Sequence, residues 1–192
     1  MLYLNQLQYD TMPYPTDIEH PGSEYSTRGT VSCAGCGLCA VCMVVDWLCK
    51  ASFSLEDCRT LAFRVRANHA IGTDMELLAP AAAEQFGLHL EMTDDTSRLA
   101  DCLKQGGVGI INVGGDREGY TGIFSHRGHF VLAVGADETE FCILDPSWTR
   151  QKYAEEPRRS CVREEGIRLY TTDAVLQQEI AARSPGYYLF TK

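Results

Sequence analysis

The sequence lacks any apolar run as long as the roughly 18 residues that a membrane-spanning helix requires, so no membrane insertion is expected. The opening residues, MLYLNQLQYD, contain no basic region followed by an apolar core, and we therefore expect no secretory signal. Positive charge is also scarce, because 17 lysines and arginines stand against 26 aspartates and glutamates and give a net charge of −9. A surface of that sign repels phosphate backbones, so nucleic acid is not expected as a partner.

Internal repeats, low-complexity tracts and linkers are missing as well. The chain has 192 residues, of which 45% are hydrophobic, and both values are typical of one globular domain. We therefore predict a single domain that spans residues 1–192. The sequence leaves the oligomeric state open.

Cysteine, in contrast, is abundant, with nine residues. An odd number cannot all pair, and four of the cysteines, at positions 33, 36, 39 and 42, lie too close together to suggest a disulfide framework. With no visible signal segment, the cysteine content favours a reducing cytoplasm as the compartment. A secreted protein whose signal had been removed is the alternative.

Hydrophobic patterns place helices in the first half of the chain and strands mainly in the second. Residues 1–31 show no periodicity and predict an irregular arm, whereas residues 38–49 are apolar on nearly every side and predict a buried central helix. Further helices are predicted over 54–67, 73–87, 97–105 and 172–183, and strands over 108–113, 129–134, 140–144, 164–170 and 187–191. Because the strands are connected mainly by hairpins, this order predicts an α+β fold with N-terminal helices packed on a C-terminal antiparallel sheet.

Cys36 lies at the predicted N-terminus of the apolar helix, between Gly35 and Gly37. Unpaired backbone N–H groups and the positive end of the helix dipole favour the thiolate form at such a position. The two glycines are expected to leave room for a substrate to approach the sulfur. Cys36 is therefore the candidate nucleophile, whereas the later cysteines of the same helix are expected to be small buried apolar residues.

A reactive cysteine needs a base, and the base needs a group that orients it. His129 begins one predicted strand, Asp145 follows the next, and their midpoint at residue 137 lies in a predicted turn. A hairpin folded at that turn would place the two side chains directly opposite each other and within reach. The sequence thus predicts a His129–Asp145 pair, with His126 as the rival base. The other histidines have no carboxylate placed in this way and are expected at the surface or in loops: His20, His69 and His89.

Two segments resemble the motifs of a known family. Residues 35–45 (GCGLCAVCMVV) resemble the nucleophile helix of the papain-like cysteine peptidases that process bacteriocin leaders at a double glycine, and above all of that family's stand-alone bacterial relatives. Residues 128–135 (GHFVLAVG), followed by Asp145 and Pro146, resemble the histidine and aspartate motifs of the same family. The closing residues 186–190 (GYYLF) are also similar to many members.

The resemblance implies a papain-like α+β fold and a bacterial cysteine peptidase that cleaves a peptide or amide bond. It also implies a triad in which Cys36 is the nucleophile, His129 the base and Asp145 the orienting residue. The family's oxyanion-stabilising glutamine precedes the cysteine, and Gln8 resembles it because an aspartate follows two residues later. No cofactor is implied. The helix differs from the family's motif at Leu38 and the residue after it. This difference leaves open the alternative that the protein is an acyl transferase with the same fold.

A metal or iron–sulfur protein is the second hypothesis, because Cys33, Cys36, Cys39 and Cys42 form a CxxCxxCxxC run that resembles a cluster-binding motif. On a helix, however, each three-residue step turns about 300°, so the four thiols spread over half the cylinder and do not converge on one centre. We therefore predict no bound metal. A catalytically inactive binding domain is disfavoured, because all the expected side chains are present.

Overall fold

The structure, a computed structural model, describes every residue from Met1 to Lys192. The chain forms two compact units, one made of Met1–Leu90 with Lys192 and the other of Glu91–Thr191. None of the helices combines the length and the apolar character needed to span a bilayer.

The first unit is helical. After a 3-10 turn at Gln6–Gln8, its helices are α1 (Glu24–Arg28), α2 (Val31–Ala34), α3 (Cys36–Cys49), α4 (Leu55–Arg64) and α5 (Met75–Phe86). The arm before α2 contains only short elements, as predicted, and it is anchored by the fully buried Tyr14. Helix α3 is buried on all sides over its first ten residues, in agreement with its apolar sequence.

Local sequence explains where these helices begin and end. Ser54 and Asp57 form a capping box before α4, and Gly87, at φ 64°, ends α5 in the left-handed conformation that glycine tolerates. Helix α5 begins at Met75, two residues after the predicted start at residue 73, and the side chain of Asp74 caps its first turn. Thr73 is buried instead and takes part in packing.

The sheet belongs to the second unit, except that the first two residues of strand β1, His89 and Leu90, are counted in the first unit. The strands are β1 (His89–Thr93), β2 (Val108–Val113), β3 (His129–Ala136), β4 (Phe141–Leu144), β5 (Arg163–Glu165), β6 (Arg168–Thr171) and β7 (Tyr187–Thr191). The helices are α6 (Thr96–Lys104), α7 (Arg150–Ala154), α8 (Arg158–Cys161) and α9 (Asp173–Ile180). The strand order is β1-β7-β2-β3-β4-β6-β5, and the sheet is antiparallel. The predicted α+β class is confirmed.

The β3–β4 hairpin carries the predicted histidine–aspartate pair, but its register differs from the prediction. Leu132 pairs with Leu144, and a bulge follows towards the turn. Because β4 ends at Leu144, Asp145 lies just beyond the paired residues, and extending the register would bring Ser147 opposite His129. The predicted register is therefore wrong by two residues, although the two side chains still meet.

Candidate active site

Cys36 is the first residue of α3, as predicted, and it is 8% exposed. The N–H groups of the first turn of a helix have no acceptor within that helix, and the dipole is positive there. The thiol of Cys36 therefore lies where a thiolate is electrostatically favoured. All nine cysteines of the chain are thiols, and none is in a disulfide.

The glycines on either side of Cys36 are explained by packing within the first unit. A Cβ at Gly35 would lie 2.5 Å from Cγ1 of Val31, and a Cβ at Gly37 would lie 2.9 Å from the Cβ of Thr73. Both distances are too short for two carbon atoms. Close packing within the first unit thus accounts for both glycines, and the room for a substrate beside Cys36 stays a prediction.

A buried hydrogen-bonded chain supports the turn before Cys36. The hydroxyl of Thr73 donates to the backbone carbonyl of Ala34 at 3.4 Å and lies 3.0 Å from the hydroxyl of Tyr14. Burial raises the pKa of Tyr14, so its phenol stays protonated. These contacts fix the end of α2, two residues before the thiol.

The other cysteines of the CxxCxxCxxC run have unlike environments. Cys33 is exposed, whereas Cys39 and Cys42 are fully buried in α3. Burial raises the pKa of Cys39 well above its usual value, which keeps that thiol protonated. No group of three or more histidine, cysteine, aspartate or glutamate side chains is arranged to hold a metal ion, so the metal-binding hypothesis gains no support from the geometry.

Gln6 and Gln8 share the 3-10 turn but differ in environment. Gln8, the predicted oxyanion donor, is exposed, whereas Gln6 is 6% exposed. The amide nitrogen of Gln6 donates to the carbonyl of Ser32 in α2 at 2.8 Å, and its Oε1 is buried with no hydrogen-bond partner. It is thus Gln6 that packs against the helix before Cys36, and the role of Gln8 stays a prediction.

The structure brings His129 and Asp145 together within the second unit. Nε2 of His129 lies 2.7 Å from Oδ1 of Asp145, and both side chains are buried. Because Asp145 engages Nε2, the nitrogen that it leaves for proton exchange with another group is Nδ1. A buried imidazole that is held by a carboxylate at one nitrogen has the form of an oriented general base.

Asp145 has further partners that the sequence did not reveal. Its Oδ1 accepts from the backbone N–H of Ser147 at 2.8 Å, and its Oδ2 accepts from Nζ of Lys152 at 2.6 Å and from the hydroxyl of Tyr153 at 2.7 Å. Lys152 and Tyr153 lie on the five-residue helix α7, for which no periodic signal exists. One sequence signal could have indicated this helix. The segment DPSWT follows β4 and ends in Thr149, a typical helix cap, which predicts that a turn after Asp145 leads into a helix.

The charge of Asp145 is set by these neighbours. Burial alone would raise the pKa of Asp145, but the charge of Lys152, followed by that of His129, outweighs burial and holds the pKa far below its usual range. Burial, and then the charge of Asp145, raise the pKa of Tyr153 well above its usual value. Near neutral pH, Asp145 is therefore an anion and Tyr153 a neutral donor.

Contact with a carboxylate does not by itself distinguish His129. Three other histidines make such contacts: His20 with Asp17, His69 with Glu19 and His126 with Asp116. None of these three pairs was predicted from the sequence. Burial separates the candidates, because the side chain of His126 is 62% exposed and that of His129 is 6% exposed.

Two buried charged side chains fix the loop that leads into His129. Glu179 of α9 accepts from the backbone N–H groups of Ile123 at 2.8 Å and Phe124 at 3.2 Å. Arg158 of α8 donates to the carbonyl of Ile123 at 2.8 Å. Charged residues are seldom fully buried unless they are paired or hydrogen-bonded, and here they hold the backbone a few residues before the base.

Two solved structures share this fold. One is the peptidase domain of Streptococcus ComA, a bifunctional ABC transporter involved in a quorum-sensing pathway, with a TM-score of 0.52 and 15% identity over 81% of this chain and 90% of that one. The other is a Bacillus anthracis protein described as a C39-like peptidase, with a TM-score of 0.57 and 12% identity over 82% of this chain and 88% of that one. No family model matches the sequence, and no curated protein matches it.

The chain therefore has the fold of C39 peptidase domains, the papain-like α+β architecture that the motif resemblance implied. At these low identities the likeness establishes the fold, and function has to be argued from the residues themselves.

Proposed function

We propose that this protein is a cysteine peptidase that hydrolyses a peptide or amide bond, with residues 1–192 acting as one catalytic domain. The observation that carries this proposal is the buried His129–Asp145 pair, in which the carboxylate engages Nε2 of the imidazole. Cys36, at the start of the buried helix α3, is the proposed nucleophile. The likeness to two peptidases, over four fifths of the chain, supports the same reaction class.

In the proposed reaction, His129 takes the thiol proton of Cys36, and the thiolate adds to the substrate carbonyl. The backbone N–H of Cys36 and the amide of Gln8 stabilise the oxyanion that forms. His129 then gives the proton to the leaving amine as the C–N bond breaks, which leaves a thioester on Cys36. Water, losing a proton to His129, hydrolyses the thioester, releases the acid and restores the thiol.

The reaction needs no metal and no cofactor, since every proton and electron pair moves between these side chains, the substrate and water. We propose a peptide as the natural substrate and a bacterium as the source. We also propose a reducing, cytoplasmic compartment, because a thiol nucleophile among eight further thiols would be prone to oxidation elsewhere. Transfer of the acyl group to an amine instead of water would identify an acyl transferase.

Iodoacetamide at mildly acidic pH tests the nucleophile assignment. We expect Cys36 to be alkylated well ahead of the other cysteines, because its position at a helix start favours the thiolate. Cys33 is the internal control, since it is the more exposed of the two and would react first if access alone decided. Peptide mapping by mass spectrometry measures each site. Faster labelling of Cys33 or Cys39 would contradict the assignment.

The oxyanion donor is tested by comparing Gln8→Ala with Gln6→Ala. If Gln8 supplies a donor, its removal should lower kcat by about 100- to 1,000-fold with little change in KM, because the oxyanion exists only after attack. Gln6→Ala should leave kcat nearly unchanged, although losing the hydrogen bond to Ser32 should lower the melting temperature. Loss of kcat in a folded Gln6→Ala, with near-wild-type Gln8→Ala, would transfer the role to Gln6.

A further inference from the structure

Lys152 meets the His129–Asp145 pair from α7. Its Nζ lies 2.6 Å from Oδ2 of Asp145 and 2.8 Å from Oγ of Ser147. The same Ser147 Oγ lies 3.1 Å from Nε2 of His129, the nitrogen that Asp145 also contacts. An ammonium and an imidazole therefore share one carboxylate and one hydroxyl. The side chain of Lys152 is only 15% exposed, so water screens its charge weakly.

We propose that Lys152 is a positioning residue that holds Asp145 and Ser147 against His129 and offsets part of the carboxylate charge, so that His129 releases its proton more readily than a histidine–aspartate pair alone would. The inference rests on the proposed function, because it takes His129 as the base. An imidazolium stabilised too strongly by Asp145 would keep its proton, and the leaving amine would not be protonated. Lys152 acts through its two neighbours and touches no reacting atom in this proposal.

The other titratable and charged groups near Asp145 do not supply this positive charge. Tyr153 donates to the carboxylate but stays neutral, because burial and the charge of Asp145 raise its pKa. Arg158 is a second buried cation, but its guanidinium is bound to carbonyls of the loop before His129. Glu179 carries a negative charge, which raises the pKa of Tyr153, so it does not supply positive charge either. Lys152, in contrast, contacts the carboxylate of Asp145 directly and supplies positive charge there in addition to the imidazole.

NMR titration of His129 tests the inference in the full chain carrying Cys36→Ala, which removes the thiol from the titration. Adding Lys152→Met is expected to raise the midpoint of the His129 titration by about one pH unit or more, because the charge of Asp145 is then no longer offset by an ammonium. Lys152→Arg keeps the positive charge and should leave the midpoint close to that of the parent. If Lys152 had only a structural role, the midpoint of the His129 titration would not depend on whether the replacing side chain is positively charged.

Lys104→Met is the matched control, because it removes the same charge from the exposed end of α6. Lys104 precedes the start of β2, whereas His129 pairs with Val113 at the other end of that strand. This control should not move the midpoint. An unchanged midpoint in Lys152→Met, or an equal shift in Lys104→Met, would overturn the proposal.

Circular dichroism checks that each variant is folded, and Lys152→Gln replaces the methionine variant if that one does not fold. Loss of the fold in both would make Lys152 a structural residue and would also overturn the proposal. Because the titration contains no substrate, its outcome can be read even if the protein hydrolyses no peptide. A failure of this inference is thereby distinguishable from a failure of the proposed function.

Discussion

Replacing Cys36 by alanine is expected to abolish peptide hydrolysis, with a loss in kcat of about 10⁴-fold or more. The nucleophile forms the covalent bond to the substrate, and no neighbouring group can take over when the sulfur is removed. The measurement is turnover of a pooled peptide library, followed by mass spectrometry of the products, with wild-type and variant protein at equal concentration.

The alanine variant should keep its fold. The change removes one sulfur atom at the start of α3 and places the best helix former there. The thermal midpoint of unfolding should therefore change by only a few degrees, on the order of 1 kcal/mol in stability. Cys33→Ser is the control, since Cys33 is exposed one turn earlier in the chain, and it should retain nearly full activity. A Cys36→Ala protein that still cleaves peptides would refute the cysteine peptidase proposal.

Long apolar segments could be predicted from the sequence. Helix α3 has almost no polar face, and β2 is an apolar run bounded by glycines and a lysine–glutamine pair, so both were predicted at nearly the observed bounds. β1 was missed because its residues are mostly half-exposed and form no apolar run. The single strand predicted over 164–170 is two strands, β5 and β6, because Gly166 turns the chain at φ 64°.

The register of the β3–β4 hairpin was predicted wrongly for a local reason. Asp137 was placed at the centre of the turn, but its carboxylate accepts from the backbone N–H groups of Thr139 and Glu140, so the turn extends beyond it. Counting residues about an assumed centre cannot detect this shift. His129 and Asp145 still meet because Asp145 lies in the irregular segment after β4, where side chains are not bound to the alternation of a strand.

Contacts made through space were beyond prediction from the sequence. Lys152 and Tyr153 reach Asp145 from a helix of only five residues, which is too short for a periodic pattern. Glu179 belongs to a helix with other polar residues, and charged residues are normally placed on the exposed face, so its full burial had no sequence signal. These side chains are specified by what surrounds them in the fold and not by their spacing along the chain.

His129→Ala is expected to lower kcat/KM by about 10³-fold or more, because this side chain both accepts the thiol proton and donates to the leaving amine. Asp145→Asn should cost less, since it removes a group that orients the imidazole and stabilises its charged form. Asparagine is the better replacement at position 145, because its amide oxygen can still accept a hydrogen bond from the partly buried Lys152, whereas alanine offers that ammonium no acceptor.

The rival base gives this experiment its control. His126 also contacts a carboxylate, that of Asp116, so a role for any histidine held in this way would make His126→Ala equally damaging. Its imidazole is largely exposed, however, and lacks the dry, fixed setting in which proton transfer is efficient. We therefore expect His126→Ala to retain nearly wild-type kcat/KM on the same peptide, with both variants folded by circular dichroism. A greater loss in His126→Ala than in His129→Ala would move the base to the exposed loop and leave the buried His129–Asp145 pair with a purely structural role.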